Sequence, residues 1–262
     1  MRGAIIDLDG TVYVGGQVVD GTHRGIEALR DAGLSLLYFS NNPVMDGDTY
    51  VSHLQEMGVD AREGEACSAG EVTALTLADR HPDASVLCIG AHGLCDQLRD
   101  VGLELTDDPN AADVLLASWS AEFKYEDMRR ALVASGPDVP FYGTDPDRTF
   151  QVSSDELVPG SGAVIGAVAA TVGREPDAIF GKPSIEAQRI AIDRLGVPPE
   201  ECVIIGDRLD TDLQMGQQTG MTTVLVLSGV TSREDISQST VTPDYVIEDI
   251  GEIERVLHES GC

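Results

Sequence analysis

Short apolar runs alternate with amphipathic stretches along most of this chain, and that alternation restricts the fold more than any other feature. Residues 3–6 are apolar, residues 25–32 carry helical spacing, residues 34–39 are apolar again, and residues 49–57 return to helical spacing. Short continuous apolar runs suit strands covered on both faces, and helical stretches supply the crossovers that parallel strands need. The rhythm recurs late, at 185–195, 203–205, 212–219 and 223–227. Between these halves, residues 86–89, 93–101, 114–117, 125–134 and 140–142 form a smaller α/β unit of their own. The expected class is therefore α/β, a mainly parallel sheet covered by helices. Turn-rich stretches at Arg80-His81-Pro82-Asp83 and Gly173-Arg174-Glu175-Pro176-Asp177 set the boundaries. They predict a core of residues 1–81 plus 178–262 and an inserted unit at 82–177.

Charge excludes several partners. Seventeen basic residues stand against 45 acidic ones, a formal net charge of −28, and Lys124 and Lys182 are the only lysines. Such a surface repels nucleic acid and anionic membranes, which need cationic contacts. The acids are dispersed along the chain, so they do not read as an acidic tail. They fit a halophilic setting, a cytoplasm of very high salt, where a Debye length of roughly 3 Å at 1 M screens self-repulsion. No apolar run reaches membrane-spanning length, and residues 160–173, rich in Gly, Ala and Val, read as a tightly packed helix. The N-terminus passes from Ala4-Ile5-Ile6 straight into acidic residues, which is no signal peptide, so a cytoplasmic location is expected. Cys67, Cys88, Cys95, Cys202 and Cys262 are scattered without a C-x-x-C pair, giving neither a disulfide framework nor a zinc site. Cys88 and Cys202 read as small buried hydrophobes.

Four elements carry chemistry. The first apolar run ends in Asp7-Leu8-Asp9-Gly10-Thr11. Side chains two apart on an extended segment point the same way, so Asp7 and Asp9 share a face at the carboxyl end of a strand, where open parallel sheets bind ligands. Paired carboxylates repel unless a hard cation joins them, and one can then act as nucleophile while the other exchanges protons. The same run also reads as a polar strand end before a glycine turn. Ser40-Asn41-Asn42-Pro43 follows the second run; its short polar side chains suit a helix cap or a phosphate cradle. Gly181-Lys182-Pro183 keeps a lysine in a chain that otherwise uses arginine, which suits a compact ammonium, or a surface lysine ahead of a helix. Gly206-Asp207-Arg208-Leu209-Asp210-Thr211-Asp212 returns two acids near one strand end, for metal holding or helix capping.

Together, and in this order, these elements resemble the four motifs of the haloacid dehalogenase superfamily. Ser40-Asn41-Asn42, Cys67-Ser68-Ala69, residues 86–90, Gly181-Lys182-Pro183-Ser184, residues 206–212 and Leu225-Val226-Leu227-Ser228-Gly229-Val230 narrow the likeness to subfamily IIA, the NagD / p-nitrophenyl-phosphatase branch, which includes phosphoglycolate and pyridoxal phosphatases. The likeness spans essentially the whole chain. It implies a Rossmann-like core with an inserted α/β cap of the C2 type. It also implies a Mg²⁺-dependent phosphatase that hydrolyses small phosphorylated metabolites through an aspartyl-phosphate, with possible self-association through the cap.

By this resemblance Asp7 is the nucleophile and Asp9 the general acid/base. Mg²⁺ would be held by Asp7, the Asp9 carbonyl and Asp207, with Asp212 in support. Ser40, the Asn41 backbone and Lys182 would bind the phosphoryl oxygens. The cap loop departs from the branch's Asn-Pro-Asp, reading Gly143-Thr144-Asp145-Pro146-Asp147-Arg148, so Asp145, Asp147 and Arg148 bear on specificity. Arg208 is read as a substrate contact or a structural ion pair, and His92 and Trp119 as structural. Two alternatives share the residues: a phosphotransferase on the same chemistry, and a non-catalytic phosphometabolite-binding protein. A phosphoryl-accepting receiver domain fits less well, since Leu8 separates the first two acids and an inserted cap would serve no purpose there.

Overall fold

In the computed structural model, residues 1–153 and 156–260 are described; Cys262 lies outside them. A six-stranded parallel sheet forms the larger layer, in the order Tyr245–Ile247, Thr222–Val226, Cys202–Gly206, Gly3–Ile6, Ser35–Ser40 and Ala66–Ser68. Neighbouring residues of its central strand belong to different apolar clusters. Ala4 and Ile6 join Leu36, Tyr38, Val203 and Ile205, whereas Ile5 joins Leu37, Phe39, Cys202 and Ile204. Both faces are therefore covered, which explains why these runs are continuously apolar rather than alternating. Each fully buried Ile or Leu contributes on the order of 1.5–3 kcal/mol.

The strand order places a switch point at the centre. Gly3–Ile6 leads outward to Ser35–Ser40 and Ala66–Ser68 on one side, while Cys202–Gly206 and later strands lie on the other. The register Ile6↔Ile205 brings the carboxyl ends of these two strands level, and the Asp7 N–H donates to the Ile205 carbonyl at 2.9 Å. A crevice forms where crossovers diverge in this way.

A five-stranded parallel sheet lies in the middle of the chain, in the order Ala178–Ile179, Phe141–Gly143, Val114–Ala117, Ser85–Ile89 and Glu104–Leu105. Its last strand runs to Ile179, two residues beyond the expected end of the inserted unit. The two sheets are not insulated from each other: one apolar cluster passes from Ile5 and Phe39 through Val72 and Leu77 to Leu94, Val86 and Leu116. An antiparallel hairpin, Thr149–Ser153 with Glu156–Pro159, leads into helix Ser161–Val172. That helix carries the small residues anticipated for it, and Gly162 shows why. A Cβ there would lie 2.4 Å from the Pro146 carbonyl oxygen, and the Gly162 N–H donates to the Asp147 carbonyl at 2.9 Å. No described helix is long and apolar enough to cross a membrane.

Candidate active site

Five aspartates, Asp7, Asp9, Asp145, Asp147 and Asp207, border one cleft together with Lys182 and Arg208. The ammonium of Lys182 is the hub. Side-chain exposure there is 1%, and Nζ donates to Asp7 Oδ1 at 2.6 Å, Asp212 Oδ1 at 2.6 Å and the Phe39 carbonyl at 2.7 Å. Those three acceptors engage all three donors of an ammonium. Its backbone is fixed as well: the Lys182 N–H donates to Asn41 Oδ1 at 2.8 Å, and Asn41 Nδ2 returns a bond to the Lys182 carbonyl at 3.2 Å. Ser184 then caps helix Ile185–Leu195 through the Ala187 N–H, at 3.0 Å, which holds the run at a helix start.

Asp9 sits at the mouth of the pair. Its Oδ2 accepts from Ser40 Oγ at 3.5 Å, and that hydroxyl accepts from the Asn42 N–H at 3.0 Å and from Tyr50 Oη at 3.2 Å. Asp207 emerges from the neighbouring strand end. Its Oδ2 accepts from the Val230 N–H at 2.8 Å, while Oδ1 is buried without a partner. Gly229 has to be glycine for this packing, since a Cβ would fall 2.0 Å from Asp207 Oδ2. Asp212 lies within a single wide turn, Leu209–Leu213, of the i→i+5 kind found at functional sites. Its Oδ2 accepts from the Arg208 N–H at 3.3 Å, turning Oδ1 to Lys182.

One ligand oxygen from each of Asp7, Asp207 and Asp212 lies within 4.8 Å of the others. Burial drives the Asp7 carboxyl well above the usual range, the charges of Asp212 and Asp207 add to this, and Lys182 opposes it. Asp207 is pushed up to about 7, chiefly by burial and then by Asp212. Asp9 rises to about 6 through burial, against the pull of Lys182. Burial also works against the Lys182 ammonium, but Asp212 and Asp7 outweigh it and hold the group above the ordinary lysine value. One ammonium between the two buried carboxylates of Asp7 and Asp212, with the buried Asp207 carboxyl beside them, leaves negative charge over, and the orphaned Asp207 oxygen points to the same deficit. An all-oxygen set of this kind fits a hard divalent cation.

Known proteins match this chain over nearly its whole length. A haloacid dehalogenase-like hydrolase model matches residues 4–104, and a HAD-hydrolase-like model matches residues 179–253. Acid sugar phosphatase of Staphylococcus epidermidis is 32% identical over 246 residues, 94% of each chain. The chain belongs to the haloacid dehalogenase-like hydrolases. Among members of this family, sugar-phosphatase AraL of Bacillus subtilis is 30% identical over 257 residues, 98% of this chain and 93% of that one. The structure of a p-nitrophenyl phosphatase from Archaeoglobus fulgidus superposes with a TM-score of 0.89 at 33% identity, covering 98% of this chain and 99% of the other.

In this haloacid dehalogenase-like hydrolase, Asp7, Asp9, Asn41, Lys182 and Asp207 all meet at the cleft, with Ser40 against Asp9 and Asp212 behind Lys182. Of the loop residues 143–148, Asp145 and Asp147 border the cleft, whereas Arg148 is exposed and does not. Arg208 joins them: Nη2 donates to the Thr149 carbonyl at 2.5 Å and Nη1 stands 4.0 Å from Asp147 Oδ1. Trp119, read from sequence as structural, lines the cleft and packs edge-on against Phe150 at 5.7 Å. His92 borders a different hollow. Gln151 is a further cleft residue that no motif announced. The side chain of Asn41, noted earlier for its backbone, serves as the clamp on Lys182.

Proposed function

We propose that this protein is a Mg²⁺-dependent phosphatase acting on small phosphorylated metabolites through an aspartyl-phosphate on Asp7. The observation that carries the proposal is the Lys182 ammonium joining Asp7 to Asp212 beside the unpartnered oxygen of Asp207, at the switch point of a parallel sheet. Sugar phosphates are the favoured class, because relatives over the full length are sugar phosphatases.

Asp7 attacks phosphorus while the ester oxygen departs with a proton from Asp9. Asp9 next takes a proton from water, whose oxygen attacks the same phosphorus and frees the Asp7 carboxylate and phosphate. A carboxyl raised to about 6 can serve both directions near neutrality. Asp7, Asp207 and the Asp9 carbonyl would hold Mg²⁺, with Asp212 in support, and the ion supplies charge neutralisation for the phosphoryl oxygens. Ser40 and the Asn41 backbone would bind those oxygens. With its three donors engaged in the protein, Lys182 acts by orienting Asp7 and by its charge. Residues 82–177, extended through Ile179, are the proposed cap, and the cleft it closes sheds water around a small ligand.

Phosphate release from a metabolite panel at molar KCl with Mg²⁺ tests the proposal. Asp7→Asn should abolish turnover, and an active Asp7→Asn protein would refute the mechanism. Supplying candidate acceptors in the same assay separates hydrolysis from phosphotransfer. Binding of phosphate esters without release of phosphate would favour a non-catalytic binding protein.

A further inference from the structure

The cleft has two unlike ends. The floor is charged and built from Asp7, Asp9, Lys182 and Asp207; the roof carries Trp119, Asp147, Phe150 and Gln151. Two roof oxygens, Asp147 Oδ1 and Gln151 Oε1, are buried without a hydrogen-bond partner. Arg208 supplies Asp147 with a counter-charge but no hydrogen bond at Oδ1, and no described residue donates to Gln151 Oε1; buried acceptors left unpaired point to a missing donor. A second metal ion is a poor candidate for that donor. The Arg208 guanidinium already stands 4.0 Å from Asp147 Oδ1, beyond hydrogen-bonding reach but close enough to repel a cation. A neutral hydroxyl is not repelled in this way.

The local backbone supports a built arrangement. Phe150 and Gln151 are consecutive in a strand, where side chains normally face opposite ways, yet both border the cleft. The strand pairing shifts register just after them, between Gln151 and Ser153, an irregularity of a kind common beside active sites. Phe150 and Trp119, ring centroids 5.7 Å apart and edge-on at 78°, supply an apolar wall next to these oxygens. Apolar surface with a few placed acceptors is complementary to a polyol or sugar, which offers C–H faces and O–H edges. The Gln151 amide, turned over, offers a donor in place of its oxygen, and a hydroxyl satisfies either.

We infer that Gln151 and Asp147 bind hydroxyl groups of the esterified moiety against the Trp119–Phe150 wall, so that this roof selects polyhydroxylated phosphates over alkyl phosphates. The inference deepens the phosphatase reading and depends on it for turnover, though not for binding. Sites built to bond a substrate hydroxyl discriminate strongly against analogues that lack it.

Three matched pairs test it: glycerol 3-phosphate with propyl phosphate, ribose 5-phosphate with pentyl phosphate, and glucose 6-phosphate with hexyl phosphate. At least one hydroxylated member should be preferred in kcat/KM by about tenfold or more, and Gln151→Met should reduce that preference by about tenfold, the effect of one hydrogen bond. The same pairs are titrated calorimetrically against Asp7→Asn protein with and without Gln151→Met, and the Kd ratios should move in parallel. Equal use of both members in all three pairs overturns the inference while leaving the phosphatase reading intact. So does a Gln151→Met protein that loses both members of a pair to the same degree. Selective binding with no phosphate release by the unsubstituted protein leaves the inference standing and defeats the phosphatase reading instead.

Discussion

The Lys182 ammonium meets the Asp212 carboxylate at 2.6 Å, with side-chain exposure of 1% on both. Asp212 thus shares with Asp7 the one charge that neutralises this part of the interior, and its position behind the cleft makes it a counterweight more than a ligand.

Lys182→Met should therefore cost more than a phosphate contact. It would leave Asp7 and Asp212 buried without their cation, and breaking such a pair costs about 3–5 kcal/mol. Urea unfolding of the metal-free protein should show a loss of that order. kcat should fall about 10²–10³-fold, as for removal of one preorganised electrostatic group. A variant of unchanged stability would show that the two acids are protonated in the metal-free state.

Mg²⁺ should raise the melting temperature with the logarithm of its concentration once that exceeds Kd. Ligand at 100 times its Kd stabilises by about 2.7 kcal/mol, and Asp207→Asn should remove that gain. Gly229→Ala is the sharper probe, since it displaces Asp207 Oδ2 without altering charge. Its Mg²⁺ requirement should rise at least tenfold, measured as the Mg²⁺ dependence of melting and of phosphate release.

Asp145 gives a pH dependence with a definite sign. Burial, and then the charge of Asp147, raise its carboxyl from 3.8 to about 8. The fold favours the neutral form, so this stabilising contribution is complete below about pH 3.8 and disappears as pH climbs through about 8. Asp145→Asn, which cannot ionise, should flatten the decline of stability across that window. Parallel urea midpoints from pH 5 to about 9 would decide it, and identical slopes would contradict the assignment.

A net charge of −28 predicts that the protein gains stability with salt. Melting temperature should climb as KCl rises from about 0.1 M to molar levels, where the Debye length contracts from about 10 Å to about 3 Å. Full stability at the lowest salt would discount the halophilic reading.

The parts of the site that sequence could reveal are those at strand ends. Asp7, Asp9, Asp207 and Asp212 follow continuous apolar runs, and Lys182 stands out in a chain of arginines, so position and rarity announced them. Helix Ser161–Val172 was equally visible in its small residues. Asn41 was recognised, but the clamp its side chain forms was not, because its partner is 141 residues away. The roof was obscured for another reason. Strands Thr149–Ser153 and Glu156–Pro159 are short and largely exposed, and the alternation of Phe150 and Val152 spans too few residues to mark them. Trp119 and Gln151 acquire meaning only when that hairpin folds over the cleft. Ala66–Ser68 and Ala178–Ile179 are likewise too short to leave a periodic trace.

The apolar cluster that runs from Ile5 and Phe39 to Val86 and Leu116 bears on how the enzyme can be dissected. Excising residues 82–177 would uncover Val72 and Leu77, along with the sheet face they cover, and leave a water-exposed greasy patch. A truncated core would consequently be prone to aggregate rather than accept bulkier esters. The inserted unit is a folding partner of the core beneath it, which ties substrate choice and solubility to one segment of the chain through different residues.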